Sequence, residues 1–354
     1  MPMSRLRRTL LTVMGTLLML GVTGGVVGCH AFSAPVYRGP KSDHFNGEQF
    51  VNQESRERRM TFLEWQRTRT PGTWAEWTDA APGTPPPRRV ARGALRVTFV
   101  NHATTLLQLD GVNVLTDPIW SERCSPVSFV GPKRVRPPGL RFEDLPPIDA
   151  VILSHNHYDH MDVPTLKRLA ERYPNVRFFA GLGNKAFLDS KGLPNVTELD
   201  WWQEVTLAPE VKLVSTPAHH FSNRGLSDRD GTLWTSYVLQ GPSGVTYFAG
   251  DTGYGKHFKQ VREKFGPVKL AVLPIGAYKP EAFMEVVHVS PTETVQASVD
   301  LEAKVNVPMH FGTFRLADDG QEEPVTELRR VLDARPEPKP DFWVLGFGEG
   351  RDVP

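Results

Sequence analysis

The stretch SHNHYDHMD, residues 154–162, decides the fold and the chemistry that we predict for this chain. It follows the apolar run AVIL at 150–153, which predicts a buried strand. Its metal-binding side chains are His155, His157, Asp159 and His160. Loops at strand ends often carry function, and a tract so rich in imidazole suits a metal. The stretch therefore predicts a metal-binding loop; the alternative is a solvated loop that is rich in histidine by chance.

One loop cannot supply every ligand of a two-metal centre, so further ligands must come from later strand ends. Three apolar runs end in suitable groups, namely His220, Asp251 and His310, although spacing alone does not separate His220 from the adjacent His219. Imidazole and carboxylate suit Zn²⁺ and, less selectively, iron or manganese. The sequence contains only two cysteines, which excludes a disulfide framework and a cysteine-rich zinc ribbon.

The rest of the pattern predicts an α/β fold with two central β-sheets flanked by helices. The expected strands are 94–100, 104–110, 112–117, 150–154, 176–180, 210–216, 234–240, 245–251, 270–276 and 304–310. The expected helices are 56–69, 163–173, 256–265, 292–301 and 323–334. We expect three parts, an export leader at 1–28, an extended proline-rich leader at 29–93 and a compact domain at 94–354.

The first part has the pattern of a bacterial export signal. Arg5, Arg7 and Arg8 precede the uncharged run 9–28, and small residues lead into Cys29. This ending resembles a lipoprotein cleavage site, at which Cys29 would carry lipid. An uncleaved membrane anchor and ordinary secretion are the alternatives. Each predicts export to the cell envelope, and the first two predict attachment to a membrane, either the outer membrane or one facing the periplasm.

Composition sets a further limit on partners. The formal net charge is +1, with 41 basic and 40 acidic residues. Nucleic-acid binding needs a concentrated cationic face, so we expect no nucleic-acid partner. The sequence contains no signal for an oligomeric state.

Several other segments carry a resemblance to a known family. They are VNHATTLLQLDG, LTDPIWSERCSP, WTSYVL, YFAGDTGY, FGPVKLAVLPIGAYKP, HVSPTE and MHFGTF. Together with HxHxDH and the later His, Asp and His, they resemble the metallo-β-lactamase superfamily. Within it they are similar to the N-acylphosphatidylethanolamine-hydrolysing phospholipase D branch, which includes bacterial RomA-like outer-membrane proteins. The resemblance covers about residues 94 to 348.

The resemblance implies an αββα sandwich and two zinc ions. One metal would take His155, His157 and His220, and the other Asp159, His160 and His310. Asp251 would bridge them, and His219 would either support a ligand without contacting a metal or be structural. We expect Asp159, Asp251 and His288 to act in catalysis, with His288 orienting phosphate or protonating the leaving group.

Other residues have supporting roles in this prediction. Asp117 would orient a ligand histidine, and Asn101 and His102 would support the site; a turn or purely structural role is the alternative for these three, and a helix-start role for His288. Aromatic side chains could line an acyl groove or simply belong to the core. These are Trp201, Trp202, Phe221, Tyr254, Tyr278 and Phe283.

The function that we predict is hydrolysis of a phosphodiester by hydroxide bound to two metals. The expected substrate is a phospholipid head group, as in N-acylphosphatidylethanolamine. A lactonase, β-lactamase or nuclease would use the same centre and stays an alternative. A second alternative is a non-catalytic metal-binding envelope lipoprotein.

Overall fold

A computed structural model describes residues 32–354 of the chain. The expected export segment and Cys29 lie outside the described residues. Within residues 32–354, no helix is both long enough and apolar enough to cross a bilayer.

Two mixed β-sheets form the centre of the molecule. The strands are β1 (Leu95–Asn101), β2 (Thr104–Leu109), β3 (Val112–Thr116), β4 (Ala150–Leu153), β5 (Arg177–Gly181), β6 (Val196–Leu199), β7 (Glu204–Ala208), β8 (Val211–Thr216), β9 (Ser236–Gly241), β10 (Gly244–Phe248), β11 (Leu270–Pro274), β12 (Val305–Met309) and β13 (Gly350–Val353). One sheet has the order β13-β1-β2-β3-β4-β5-β6, and the other has the order β12-β11-β10-β9-β8-β7. The predicted pair of central sheets is confirmed.

Helices complete the layers of the sandwich. They are α1 (Phe62–Thr68), α2 (Val163–Arg172), α3 (Asn184–Ser190), α4 (His257–Phe265), α5 (Glu281–Met284), α6 (Pro291–Asp300) and α7 (Glu323–Ala334). The α6 helix begins at a capping box in which Ser290 and Glu293 each bond to the other's backbone N–H. It packs against α7, and α2 buries Leu166 and Leu169 in the core beside the first sheet.

The two sheets share one hydrophobic core. Ile152 of β4 and Tyr247 of β10 belong to the same buried cluster. The Tyr237 hydroxyl of β9 donates a hydrogen bond to the Leu153 carbonyl of β4 at 3.0 Å. Because β4 runs parallel to both β3 and β5 inside the sheet, all four of its residues are buried, which explains its uninterrupted apolar sequence.

Parallel pairing brings the functional loops to common edges. β3 and β4 are parallel neighbours, as are β10, β11 and β12. The carboxyl ends of parallel strands meet at one edge of a sheet, and that edge is the usual place for a binding site. The close approach is visible at Gly276, just after β11, where a Cβ atom would lie 1.9 Å from the carbonyl oxygen of His310. Only glycine fits there without a shift of the backbone.

Some boundaries and elements differ from the sequence prediction. The predicted helix at 56–69 is limited to α1, where Thr61 and Glu64 form a capping box. The predicted strand at 234–240 begins only at Ser236. The strands β6, β7 and β13 and the helices α3 and α5 were not predicted. β6, β7 and β13 are four or five residues long and partly exposed, so their apolar periodicity is weak.

The segment before β1 lies against the rest of the molecule. The Tyr37 amide donates to the Gly231 carbonyl, and the Gly72 amide donates to the Asp318 carbonyl. Trp65 of α1 is buried and donates from Nε1 to Asp318 at 2.8 Å. Residues 32–93 therefore form part of the surface around the domain.

Candidate metal centre

The first histidine loop begins where β4 ends. The backbone amide of Met161 donates to the His157 carbonyl at 2.8 Å, and the amide of His160 donates to the same carbonyl at 3.2 Å. This tight turn directs the polar side chains of the loop into the protein. His155 and His160 are buried, while His157 keeps partial exposure.

His155, His157 and His220 form one cluster of ring nitrogens. Nε2 of His155 lies 2.7 Å from Nδ1 of His157, and Nε2 of His220 lies 3.3 Å from the same atom. His220 comes from the loop after β8, in the second sheet. The three histidines that the resemblance assigned to one metal are thus in mutual contact.

Asp159, His160 and His310 form a second cluster. Oδ2 of Asp159 lies 3.2 Å from Nε2 of His160 and 3.5 Å from Nε2 of His310. His102 also contacts this carboxylate, because its Nε2 is 2.9 Å from Oδ2. The three residues that the resemblance assigned to the second metal therefore come together, with His102 beside them.

Asp251, directly after the end of the second-sheet strand β10, lies between the two clusters. Its Oδ2 atom is 3.1 Å from Nε2 of His160 and 3.2 Å from Nε2 of His310. The same oxygen is 4.0 Å from Nε2 of His155 and 3.9 Å from Nε2 of His220. One carboxylate oxygen thus faces ligands of both groups, which is the placement that a bridging ligand needs.

The unpartnered atoms of the cluster fit a cation. Nε2 of His160, Nε2 of His310 and Oδ1 of Asp251 are buried without a hydrogen-bond partner among the described residues. Nδ1 of His160 donates to Asp117 at 2.7 Å, so in the neutral ring Nε2 presents a lone pair toward the carboxylates. Lone pairs and carboxylates repel each other in a dry site unless a proton or a metal ion lies between them. The donor set, imidazole and carboxylate without thiolate, suits divalent metals such as zinc.

Asp117 holds the histidine loop from outside. Its Oδ1 accepts the Ser154 amide at 2.7 Å, and its Oδ2 accepts the Ser154 hydroxyl at 2.6 Å as well as the His160 ring N–H. His220 is fixed in the same manner, since its Nδ1–H donates to the Val287 carbonyl at 2.9 Å. Such outer hydrogen bonds set the tautomer and the direction of each ligand nitrogen.

Burial and neighbouring charges move the pKa values of the cluster histidines in both directions. Burial lowers the pKa of His310, but the negative charge of Asp251 and the proximity of the Asp159 and Asp251 carboxylates outweigh it and raise the pKa to about 9. The pKa of His160 is also raised, because Asp251, Asp159 and Asp117 oppose the effect of burial. Burial lowers the pKa of His157, His220 and His288 to about 3.

The remaining predicted residues occupy distinct positions. Nδ1 of His288 lies 3.9 Å from Oδ2 of Asp251, and its side chain is partly exposed. His219 points elsewhere, with its Nε2–H donating to the Glu54 carbonyl at 2.5 Å. Asn101 donates from Nδ2 to the Ile119 carbonyl at 3.3 Å, away from the cluster.

The six aromatic residues divide between the core and partly exposed positions. Trp201, Tyr278 and Phe283 are buried, whereas Trp202, Phe221 and Tyr254 are partly exposed. Phe221 is the one of these six that contacts the cluster, with its ring centroid 4.4 Å from that of His157. The structure therefore brings one of the six to the candidate metal ligands.

Asn52 is a contact that sequence reasoning missed. Its Nδ2 donates to the His220 carbonyl at 2.9 Å, and its Oδ1 accepts the His220 amide at 3.0 Å. Oδ1 also accepts the indole N–H of Trp234 at 2.9 Å. Asn52 thus holds both backbone groups of a candidate ligand from the segment before the domain. No local pattern marks it, since the two residues are 168 positions apart.

The fold and the cluster define a metal-dependent hydrolase built on two β-sheets. A family model described as "Beta-lactamase superfamily domain" matches residues 112–311. The chain therefore belongs to the metallo-β-lactamase superfamily, as the sequence resemblance indicated.

Three relatives illustrate its place in that superfamily. The chain is 38% identical over 270 residues to N-acyl-phosphatidylethanolamine-hydrolyzing phospholipase D 1 of Caenorhabditis elegans, which covers 73% of this chain and 76% of the relative. It is 34% identical to the mitochondrial enzyme of the same name from Saccharomyces cerevisiae, over 67% of this chain and 51% of the relative. It is 45% identical over 96 residues to the outer membrane protein RomA of Klebsiella pneumoniae, which covers 27% of this chain and 70% of the relative.

A solved structure supports the fold. A metallo hydrolase from Ignicoccus hospitalis superposes with a TM-score of 0.53 and 23% sequence identity. The superposition covers 73% of this chain and 98% of the Ignicoccus protein. At this identity the likeness concerns the fold alone.

The Asn52 contact predicts a weaker metal site when its side chain is removed. We expect Asn52→Ala to lower metal affinity by roughly tenfold, the lower end of the effect of residues that orient ligands. Asn46→Ala is the matched control, because Asn46 lies in the same segment and only accepts the amides of Glu48 and Gln49. Metal titration and the visible spectrum of the cobalt-substituted protein measure the effect. Equal affinity in both variants would contradict a positioning role for Asn52.

The raised pKa of His310 predicts a stability maximum in metal-free protein. A group whose folded-state pKa is raised contributes stability that is complete below the unfolded value of 6.5 and lost as pH rises through about 9. The histidines with lowered pKa destabilise the fold as pH falls below 6.5. Chelator-treated protein should therefore melt highest near pH 6.5 and lose roughly 3 kcal/mol or less toward pH 9.

Scanning calorimetry across this pH range measures the effect, with metal-saturated protein as the control. Bound metal takes the place of the proton on His310, so its addition should remove the loss on the alkaline side. A melting temperature of the metal-free protein that stays constant between pH 6.5 and 9 would refute the raised pKa of His310.

Proposed function

We propose that this chain is a two-metal phosphodiesterase that cleaves the head group from N-acylated phosphatidylethanolamine or a related phospholipid. The main support for this proposal is the position of Asp251 between the His155–His157–His220 cluster and the Asp159–His160–His310 cluster. The 38% identity to a phospholipase D that is named for this substrate supports the choice of bond.

The residues that would hold the metals are the seven in these clusters. His155, His157 and His220 would hold one ion, Asp159, His160 and His310 the other, and Asp251 both. Two divalent ions in such a site lower the pKa of water toward neutrality and offset the negative charge of a phosphoryl group. The chain itself aims Nε2 of His160 and Nε2 of His220 inward through the hydrogen bonds that their Nδ1 atoms make with Asp117 and the Val287 carbonyl.

His288 is the candidate for contact with the substrate. Burial lowers its pKa to about 3, although the charge of Asp251 opposes this, and bound cations would lower the pKa further. A neutral imidazole can donate an N–H to a phosphate oxygen but holds no acidic proton for a leaving group at neutral pH. We therefore propose orientation of the phosphate, rather than protonation of the leaving group, as the role of His288.

Product identification tests the proposal directly. We expect metal-loaded protein to convert N-acylphosphatidylethanolamine into phosphatidic acid and the N-acylethanolamine, because hydrolysis at the head-group side of the phosphorus releases those two molecules. The panel should also contain phosphatidylcholine, a lactone and a β-lactam, with products identified by mass spectrometry. Hydrolysis of the lactone or the β-lactam alone would contradict the phosphodiesterase assignment.

Two variants separate the metal centre from the general fold. Asp251→Asn should lower turnover by at least about a hundredfold, with the melting temperature of the metal-free protein retained. His288→Asn should lower turnover while the metal content stays unchanged. Retained turnover in the Asp251 variant would argue for a centre that serves structure only.

We also propose that the chain works at a membrane in the bacterial envelope, attached through lipid on Cys29. The Ala34 amide is already bound to Asp228 at 2.7 Å, and five residues of chain span at most ~18 Å. Large apolar side chains are exposed on the described surface at Phe129 and Leu226, at 80% and 81%. Phe32, near the proposed lipid, is 42% exposed and lines a pocket together with Arg224, two positions from Leu226.

The state of the N-terminus in its native membrane tests this attachment. Mass spectrometry should identify Cys29 as a lipid-modified first residue, and Cys29→Ser should release the protein from the membrane fraction. An intact N-terminal run in the membrane-bound protein would support the uncleaved anchor instead and refute the lipid attachment.

A further inference from the structure

A pocket lies beside the candidate metal centre. Its volume is about 650 Å³, and one wall is the segment 50–58, which precedes the domain. The opposite wall contains His220 and Phe221, so the pocket is adjacent to a candidate metal ligand. Arg56, Arg58 and Arg229 line it, and we call it the arginine pocket.

The arginines of this pocket are held by aromatic rings. The guanidinium of Arg229 lies 4.5 Å from the ring centroid of Phe221, and that of Arg58 lies 4.5 Å from the ring centroid of Phe283. Stacking on a ring orients a guanidinium while leaving its N–H groups free at the edge for other acceptors. Phe221 also contacts His157, so Arg229 is one aromatic ring away from the metal ligands.

Carboxylates satisfy this group of arginines only in part, although Glu54 and Asp230 also line the pocket. Arg58 has no ion pair within residues 32–354, and Arg56 reaches Glu293 only at 3.9 Å. The neighbouring Arg59, which lies outside the pocket, is paired with a carboxylate, since it donates two hydrogen bonds to Glu285, at 2.6 Å and 2.7 Å. Arg229 contacts Asp230 at 3.4 Å. The exposed Arg58, unlike the adjacent Arg59, therefore has guanidinium donors that are available to an acceptor external to the chain.

Electrostatics agrees with this geometry. Burial lowers the pKa of Arg58, and the positive charge of Arg229 lowers it further, whereas Asp230 opposes both effects. Two guanidinium groups that repel each other are stabilised by an anion between them. Oxygen atoms of a phosphate match the planar donors of arginine and accept two N–H bonds from one guanidinium.

We propose that the arginine pocket binds the phosphate group of a second anion, distinct from the phosphodiester at the candidate metal centre. The source of that phosphate is either an anionic lipid head group at the membrane surface or free inorganic phosphate. Binding at this site does not require that the metal centre cleave any particular bond, so it can be tested apart from the proposed function.

The first arm of the test is calorimetric titration of metal-loaded, full-length protein with inorganic phosphate. The double variant Arg58→Gln with Arg229→Gln should lose one phosphate equivalent, or bind that equivalent about tenfold or more weakly. Arg59→Gln is the matched control, because it removes a neighbouring guanidinium outside the pocket. Phosphate held by the metals is common to all three proteins and cancels in the comparison.

The second arm replaces free phosphate with vesicles. Phosphatidylcholine vesicles with and without phosphatidylglycerol are sedimented with the same proteins, so the effect of the anionic head group is measured directly. A loss in the double variant that is confined to this arm identifies the lipid head group as the source, and a loss confined to the first arm identifies free phosphate. Wild-type behaviour of the double variant in both arms would overturn the proposal.

Metal content and melting temperature establish that the double variant remains folded. Hydrolysis of bis-p-nitrophenyl phosphate gives an independent readout of the metal centre, because this compound carries a single anionic group. Loss of phosphate binding with unchanged hydrolysis assigns the effect to the arginine pocket. If the wild type hydrolyses no phosphodiester, the proposed function fails while the phosphate titration still reports on the pocket.

Discussion

The site depends on the confinement of two carboxylates and several imidazoles in a largely buried space. Asp159 and Asp251 are buried, and Oδ2 of each faces Nε2 of His160 and His310 at 3.1–3.5 Å. In a low-dielectric interior this arrangement requires positive charge, as protons on the imidazoles or as metal ions. The pKa values of His160 and His310 are raised for the same reason, because a proton on either ring offsets the charge of the carboxylates. A cation is therefore part of the energetics of the fold as well as of the chemistry.

Residues at the strand ends of the two sheets orient the candidate ligand side chains. Asp117 follows β3 and holds both Ser154 and His160 by hydrogen bonds, which joins the ends of two parallel strands. Asp251 follows β10 in the other sheet, and the Tyr237 hydroxyl bonds the sheets together near the end of β4. These hydrogen bonds tie the histidine loop, which carries four of the candidate ligands, to the ends of β3 and β4.

The sequence allowed the inner part of this arrangement to be predicted because its signals are local. An apolar run followed by HxHxDH, and His220, Asp251 and His310 after later apolar runs, are visible without any tertiary information. Parallel pairing of β10, β11 and β12 brings Asp251 and His310 to one edge, whereas His220 follows β8, which pairs antiparallel with both of its neighbours. The role of these residues as ligands stays a prediction. Asn52 had no such signal, because its contact with His220 spans 168 positions and any polar residue suits an irregular segment. β6 was missed because it is short, since a four-residue, partly exposed strand has almost no periodicity to detect.

The segment before β1 connects three features that its sequence gives no reason to associate. Ala34 is bound near the exposed Leu226, Asn52 holds the backbone of His220, and Arg58 lines the arginine pocket. A displacement at the start of this segment would therefore affect a candidate metal ligand and the proposed anion site through the same stretch of chain. If the N-terminus carries lipid, the distance from the bilayer to the metal centre is set by about twenty residues that are hydrogen-bonded to the domain at Gly231 and Asp230. The length of this segment would then determine how close the metal centre lies to the membrane, without a conformational change.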